Sequence, residues 1–121
     1  MNLRKFFSKK KDMVSFKELL SIPSDTVSQI DPEDVDSITT VKVKNNDSDN
    51  VTLRVTMKKG KLWDKHFHDC KETIVMYKGK IKDVITGKEI GRGAHLSIPA
   101  ERPHSIEALE DTIFYVEFQK V

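Results

Sequence analysis

Apolar and polar residues alternate over most of the chain beyond its first third. Val51, Leu53, Val55 and Met57 interleave with Thr52, Arg54, Thr56 and Lys58, the pattern of a strand with one apolar face. The same period places Glu72, Ile74 and Met76 on one face, Leu96 with Ile98, and His104 with Ile106 and Ala108. Near the end, Phe114, Val116 and Phe118 alternate with Tyr115, Glu117 and Gln119. Ser37–Lys44 is rich in β-branched residues, with Val41 and Val43 together, and Lys80–Thr86 reads as a further strand. Turn residues separate these runs at Asn45–Asn50, Lys59-Gly60, Gly79, Gly87-Lys88, Gly91–Gly93 and Pro99–Pro103.

Helical signals are confined to the first third. Ser15 and Glu18 form a capping-box pattern, and Phe16, Leu19 and Leu20 make a small apolar face. The helix must stop before Pro23, which disfavours helical backbone in the residue preceding it. Val27 and Ile30 suit a short edge strand, and Asp31-Pro32-Glu33-Asp34 is a turn or helix-start signal. Many short strands at close spacing predict an all-β sandwich or barrel with a short α-helical N-terminal extension. The expected division is a basic arm, helix and linker over 1–35 and a β domain over 36–121.

Composition narrows the picture. The chain has 121 residues, 37% apolar and 33% charged, which allows one modest core. A net charge of +2 does not describe a polyanion binder, and no nucleic-acid-binding domain is visible. Arg4, Lys5, Lys9, Lys10 and Lys11 nevertheless crowd the N-terminus around Leu3, Phe6 and Phe7. Such an arm anchors to anionic lipid or nucleic acid, or is a frayed terminus or a helix packed on the barrel or a partner subunit. It is too short to be a stable helix alone, which favours the frayed or packed reading. Cys70 is the only cysteine, so an intrachain disulfide is excluded and a reducing compartment fits. There is no apolar run of membrane-spanning length and no secretory pattern, so the expected location is cytoplasmic.

Candidate chemistry concentrates in Gly60–Gly79. His66 and His68 are two apart, so on a strand they project to one face. Glu72 rejoins that face if the chain turns between Asp69 and Lys71, and His104 is a fourth candidate ligand. Neutral imidazoles with a carboxylate suit a borderline divalent ion. These residues resemble the cupins, whose first motif is G-x(5)-H-x-H-x(3)-E-x(6)-G. Here it is complete in Gly60, His66, His68, Glu72 and Gly79. Agreement of those five letters by accident is on the order of 10⁻⁷ per register. The second motif, G-x(5)-P-x-G-x(2)-H-x(3)-N, is met at Gly93, Pro99 and His104, with Glu101 in place of the usual Gly and Ala108 in place of the usual Asn.

The resemblance implies a small jelly-roll barrel holding a divalent transition metal (Fe, Mn, Ni, Co, Zn or Cu) on His66, His68, Glu72 and His104. It also implies a homodimer, with an N-terminal segment crossing between subunits. Four ligands of a six-coordinate ion leave two positions for water, a small-molecule ligand or dioxygen. Two functions follow: a metal-dependent oxygenase or isomerase acting on a small organic molecule, or a non-catalytic small-ligand or metal-sensing module.

Strand parity adds detail. In a regular strand, Leu62 and Asp64 share the face of the histidines, while Trp63, Lys65 and Phe67 face outward and offer a subunit contact. The interior wall is Ile74, Met76, Ile106, Phe114 and Phe118, with few groups able to move protons, which argues against a committed sugar isomerase. His95 falls on the outer face, Cys70 in a turn pointing away from the ligands, and Arg102 at the pocket mouth, where it could hold an anion.

Overall fold

The computed structural model describes residues 13–21, 27–29, 38–42 and 48–121, the second and third of these through their backbone. The arm expected over residues 1–12 and the turn signal at 31–34 lie outside the described residues. One short helix, α1 (Phe16–Leu20), precedes ten strands. They are β1 (Val27–Gln29), β2 (Ile38–Lys42), β3 (Asn50–Met57), β4 (Leu62–His66), β5 (Lys71–Lys78), β6 (Lys80–Asp83), β7 (Glu89–Gly91), β8 (His95–Ile98), β9 (His104–Ala108) and β10 (Thr112–Gln119).

The strands form a jelly roll of two antiparallel sheets. The larger runs β1-β2-β3-β10-β5-β8 and the smaller β4-β9-β6-β7. Its centre is β10, paired along its whole length with β3 and over most of it with β5. Alternation dictates what the inner faces carry. Val51, Leu53, Val55, Met57, Ile74, Met76, Phe114, Val116 and Phe118 of the larger sheet are buried, as are Trp63, Ile81, Ile90, Ile106 and Ala108 of the smaller. All belong to one core. Each large side chain so buried contributes roughly 1.5–3 kcal/mol, and that is what holds two small sheets face to face.

Gly79 marks the point where the chain leaves β5 in one sheet for β6 in the other. Its φ is +82°, and a Cβ there would collide with the Asp111 carbonyl oxygen and with Thr112. The corner therefore requires glycine on both counts. The strand expected to reach Thr86 stops at Asp83. The Asp83 carboxylate accepts from the Ile85 N–H at 3.1 Å and its carbonyl from the Gly87 N–H at 2.7 Å, which turns the chain early.

The helix forms as its sequence requires. Glu18 N–H donates to Ser15 Oγ at 3.1 Å, and the Glu18 side chain reaches back to the cap. Phe16 and Leu19 are buried, while Leu20, at the last position, stays at the surface.

Candidate metal centre

Two neighbouring strands of the smaller sheet, β4 and β9, bring the first candidate ligands together. Along β4 and β9, Leu62 pairs with Glu107 and Trp63 with Ile106, but His104 is met by His66 rather than Lys65. One extra residue is accommodated between Trp63 and His66, a β-bulge. The bulge overturns the regular-parity expectation. Trp63, expected outside, is buried and stacks on His66 with ring centroids 5.5 Å apart. Leu62, expected inside, is 48% exposed, and Phe67 is half-buried rather than fully outward. The Asp64 side chain lies outside the described residues. No composition or period in the sequence marks the bulge. Its backbone is tied in place by Ser105 Oγ, which donates to the Trp63 carbonyl at 3.0 Å.

His66 and His104 are thus cross-strand neighbours with ring centroids 4.3 Å apart. His68 follows beyond the end of β4, with its ring edge-on to Phe118 at 4.8 Å. Candidate ligand atoms of His66, His68 and His104 all lie within 4.8 Å of one another, and all three residues are buried. Glu72 reaches the same place from the other sheet, between Phe118 on β10 and Ile98 on β8. Its Oε2 is 2.7 Å from His104 Nε2 and 3.8 Å from His68 Nε2. The four residues singled out by the sequence therefore come together in one buried cluster.

The outer nitrogens of two rings have defined partners. His68 Nδ1 lies 2.8 Å from the Val14 carbonyl oxygen, and His104 Nδ1 lies 3.2 Å from that of Arg102. A carbonyl only accepts, so each Nδ1 carries hydrogen and each neutral ring turns its Nε2 lone pair toward Glu72. At 2.7 Å a neutral His104 Nε2 and an ionised carboxylate oxygen would be two acceptors in contact. Only a cation between or upon them relieves that, either a proton or a metal ion. Three imidazoles and one carboxylate, with the outer nitrogens of His68 and His104 against backbone carbonyls, are a donor set that fits a borderline divalent ion.

The electrostatics without metal follow from the same contacts. Burial alone would raise the Glu72 carboxyl, but the imidazoles outweigh it, His104 foremost, and bring it down to about 2. Burial lowers His104, and the charge of Glu72 reverses this, so His104 ends above its ordinary value. His68 ends below its own, because burial exceeds the pull of Glu72. Without metal, His104 and Glu72 form a close buried pair in which each favours the charged form of the other.

Surrounding residues sort clearly. Arg102 Nη2 is 3.3 Å from Oδ2 of Asp83, a buried carboxylate that the sequence did not flag. The pair holds the segment whose carbonyl orients His104. The Cys70 thiol is buried in the core and pushed up to about 12, first by burial and then by the charges of Asp69 and Glu72. His95 is exposed on β8, opposite Val75, as its parity predicts. Glu101, standing where cupins usually have glycine, takes a left-handed φ of 68° and donates its N–H to the His68 carbonyl at 2.6 Å. The backbone keeps the glycine conformation without the glycine.

No protein-family model matches this chain, and no curated protein matches it in sequence. Solved structures do match. An RmlC-like cupin from Shewanella frigidimarina aligns with a TM-score of 0.67 and 14% identity, over 80% of this chain and 85% of its own. KdgF from Halomonas sp. aligns with a TM-score of 0.66 and 18% identity, over 79% and 88%. Oxalate decarboxylase from Bacillus subtilis, a protein with Mn(II) centres, aligns with a TM-score of 0.61 and 23% identity; 69% of this chain covers 26% of that one. The fold is that of a cupin, in a single-barrel form.

Proposed function

We propose that this cupin is a metal-binding protein whose His66, His68, Glu72 and His104 hold one divalent transition ion, and that it acts at that ion on a small organic molecule. The observation that carries the reading is the convergence of three buried imidazoles on a buried carboxylate, two of them with Nδ1 against a backbone carbonyl. When bound, such an ion supplies Lewis acidity toward a substrate oxygen and, as iron or manganese, a route to dioxygen. The chain's own part is to hold the donors at fixed orientation and to exclude water. Phe118 lies edge-on to His68 and Ile98 pairs with Glu72, and both belong to the buried apolar core, a setting that favours a small, partly hydrophobic ligand.

The test is elemental analysis of protein purified without a histidine tag. About one equivalent of a transition metal is expected in the wild type, with loss in His66→Ala and Glu72→Ala. A metal content that these substitutions leave unchanged would sink the reading. An oxygen-uptake and isomerisation screen on the loaded protein then separates an enzyme from a binding module. The second reading, a non-catalytic sensor, is favoured by one observation: Asp83, a buried carboxylate near His104, is already engaged by Arg102 and Ile85 rather than available for proton transfer.

A homodimer belongs to this proposal. With Trp63 turned inward, its support moves to the outer face of the larger sheet. There Val75 and Tyr77 are exposed and Tyr77 meets Tyr115 edge-on at 6.4 Å. Sedimentation at twice the chain mass, reduced to the chain mass by Tyr77→Lys, is the expected outcome.

A further inference from the structure

Three consecutive residues centred on His68 are bonded to a segment more than fifty positions earlier. Phe67 accepts at its carbonyl from the Val14 N–H at 2.9 Å. His68 Nδ1 lies 2.8 Å from the Val14 carbonyl oxygen, and Asp69 Oδ1 accepts from the Phe16 N–H at 2.6 Å. Met13 also bridges to Phe67 in parallel fashion. The segment is firmly seated, with Val14 and Leu19 fully buried and Phe16 nearly so. None of this follows from the jelly roll, because residues 13–21 belong to neither sheet.

We propose that Met13–Ser21 is a strap that sets the orientation and tautomer of His68, and that Asp69 is the positioning residue that holds the strap down. The inference rests on the metal-site reading above. An imidazole's second torsion is broad and nearly two-fold, so packing alone distinguishes poorly between its two nitrogens. A fixed acceptor at Val14 removes the ambiguity, since Nδ1 keeps its hydrogen and Nε2 is presented to the ion. The Val14 carbonyl is part of the backbone and cannot be deleted by substitution. Of the three bonds, only the one at Asp69 is made by a non-ligand side chain. Through it, the residue next to a ligand governs a backbone group that governs the ligand.

The experiment uses the full chain loaded with Co(II), comparing wild type, Asp69→Ala and Asp69→Asn. Affinity is read by competition with a chromogenic chelator, and ligand geometry by the Co(II) absorption spectrum. Asp69→Ala is expected to weaken Co(II) on the order of 10-fold, the lower end of what losing a ligand's outer support costs, and to alter the spectrum. Asp69→Asn keeps an oxygen acceptor for the Phe16 N–H and is expected to restore both. Wild-type affinity and spectrum in Asp69→Ala would overturn the strap while leaving the metal site standing. An equal loss in Asp69→Asn would also overturn it, by showing that charge rather than the hydrogen bond matters. A wild type that binds no Co(II), or binds it unchanged after His66→Ala, overturns both readings. A measurement on the unaltered protein keeps the test independent of whether Asp69→Ala folds. In the ¹⁵N spectrum of the metal-free form, His68 is expected with hydrogen on Nδ1 and none on Nε2, and the opposite tautomer overturns the proposal.

Discussion

A buried carboxylate facing buried imidazoles makes stability depend on pH in a way that can be signed. Burial raises Glu72, but the imidazoles outweigh it and take it from 4.5 to about 2. Its stabilising contribution is complete above 4.5 and fades as pH falls through 2. His104 is lowered by burial and raised more by Glu72, so its contribution is complete below 6.5 and lost as pH climbs through its higher folded value. His68, lowered by burial, runs the other way: its contribution is complete above 6.5 and lost as pH falls through its folded value. The metal-free protein should therefore weaken toward acid through Glu72 and His68, and toward alkali through His104. Glu72→Gln removes the charge that raises His104 and should flatten the alkaline fall. Urea midpoints from about pH 3 to pH 8 test this, and parallel curves for the two proteins would refute it. A second residue-scale expectation concerns Glu101. A left-handed backbone costs an ordinary L-residue about 1–2 kcal/mol, partly offset on substitution by the extra freedom of glycine in the unfolded chain. Glu101→Gly should therefore gain about 1 kcal/mol or less in chemical denaturation, and a loss of stability would argue for a contact made by the Glu101 side chain.

At the scale of elements, β4 decides which aromatics are inside. A regular strand would have put Trp63 outside, where truncation changes stability by about 0.5 kcal/mol or less. The bulge puts it in the core against His66. Trp63→Ala should therefore cost about 3–5 kcal/mol, measured by denaturant unfolding of the metal-free protein. A near-neutral result would mean that the bulge is wrongly placed. The seated segment around α1 is the other element whose role is tertiary. Its capping box makes one helical turn, but a turn that short is stable only because Phe16 and Leu19 have a core to enter.

For the molecule as a whole, the metal reading predicts coupling between loading and folding. The proposed ligands come from β4, the turn after it, β5 and β9, and so from both sheets. An ion that binds only the folded arrangement stabilises by about 2.7 kcal/mol when free metal is a hundredfold above the dissociation constant. The melting temperature of the wild type should rise with added Zn(II) or Co(II), and that of His66→Ala should not. An equal rise in both would place the ion elsewhere. Among the described residues no helix is long and apolar enough to cross a membrane.

Much of this protein was legible in one dimension because alternation is a local signal. The inner faces of β3, β5, β9 and β10 and the capping box at Ser15 follow from period and spacing, while Gly79 and the four clustered residues were picked out by the resemblance to the cupin motifs. Other features depend on which distant segment lies alongside. The extra residue between Trp63 and His66 exists only relative to the register of β9. The pairing of Asp83 with Arg102 joins residues nineteen apart, and the carbonyl of Val14 reaches His68 across fifty-four. A backbone carbonyl is the same group in every residue, so no letter of the sequence announces which one a ligand will use. The chain's own pattern determined the candidate donors and most of the faces the strands present; packing of the sheets and the N-terminal segment decided how those side chains are turned.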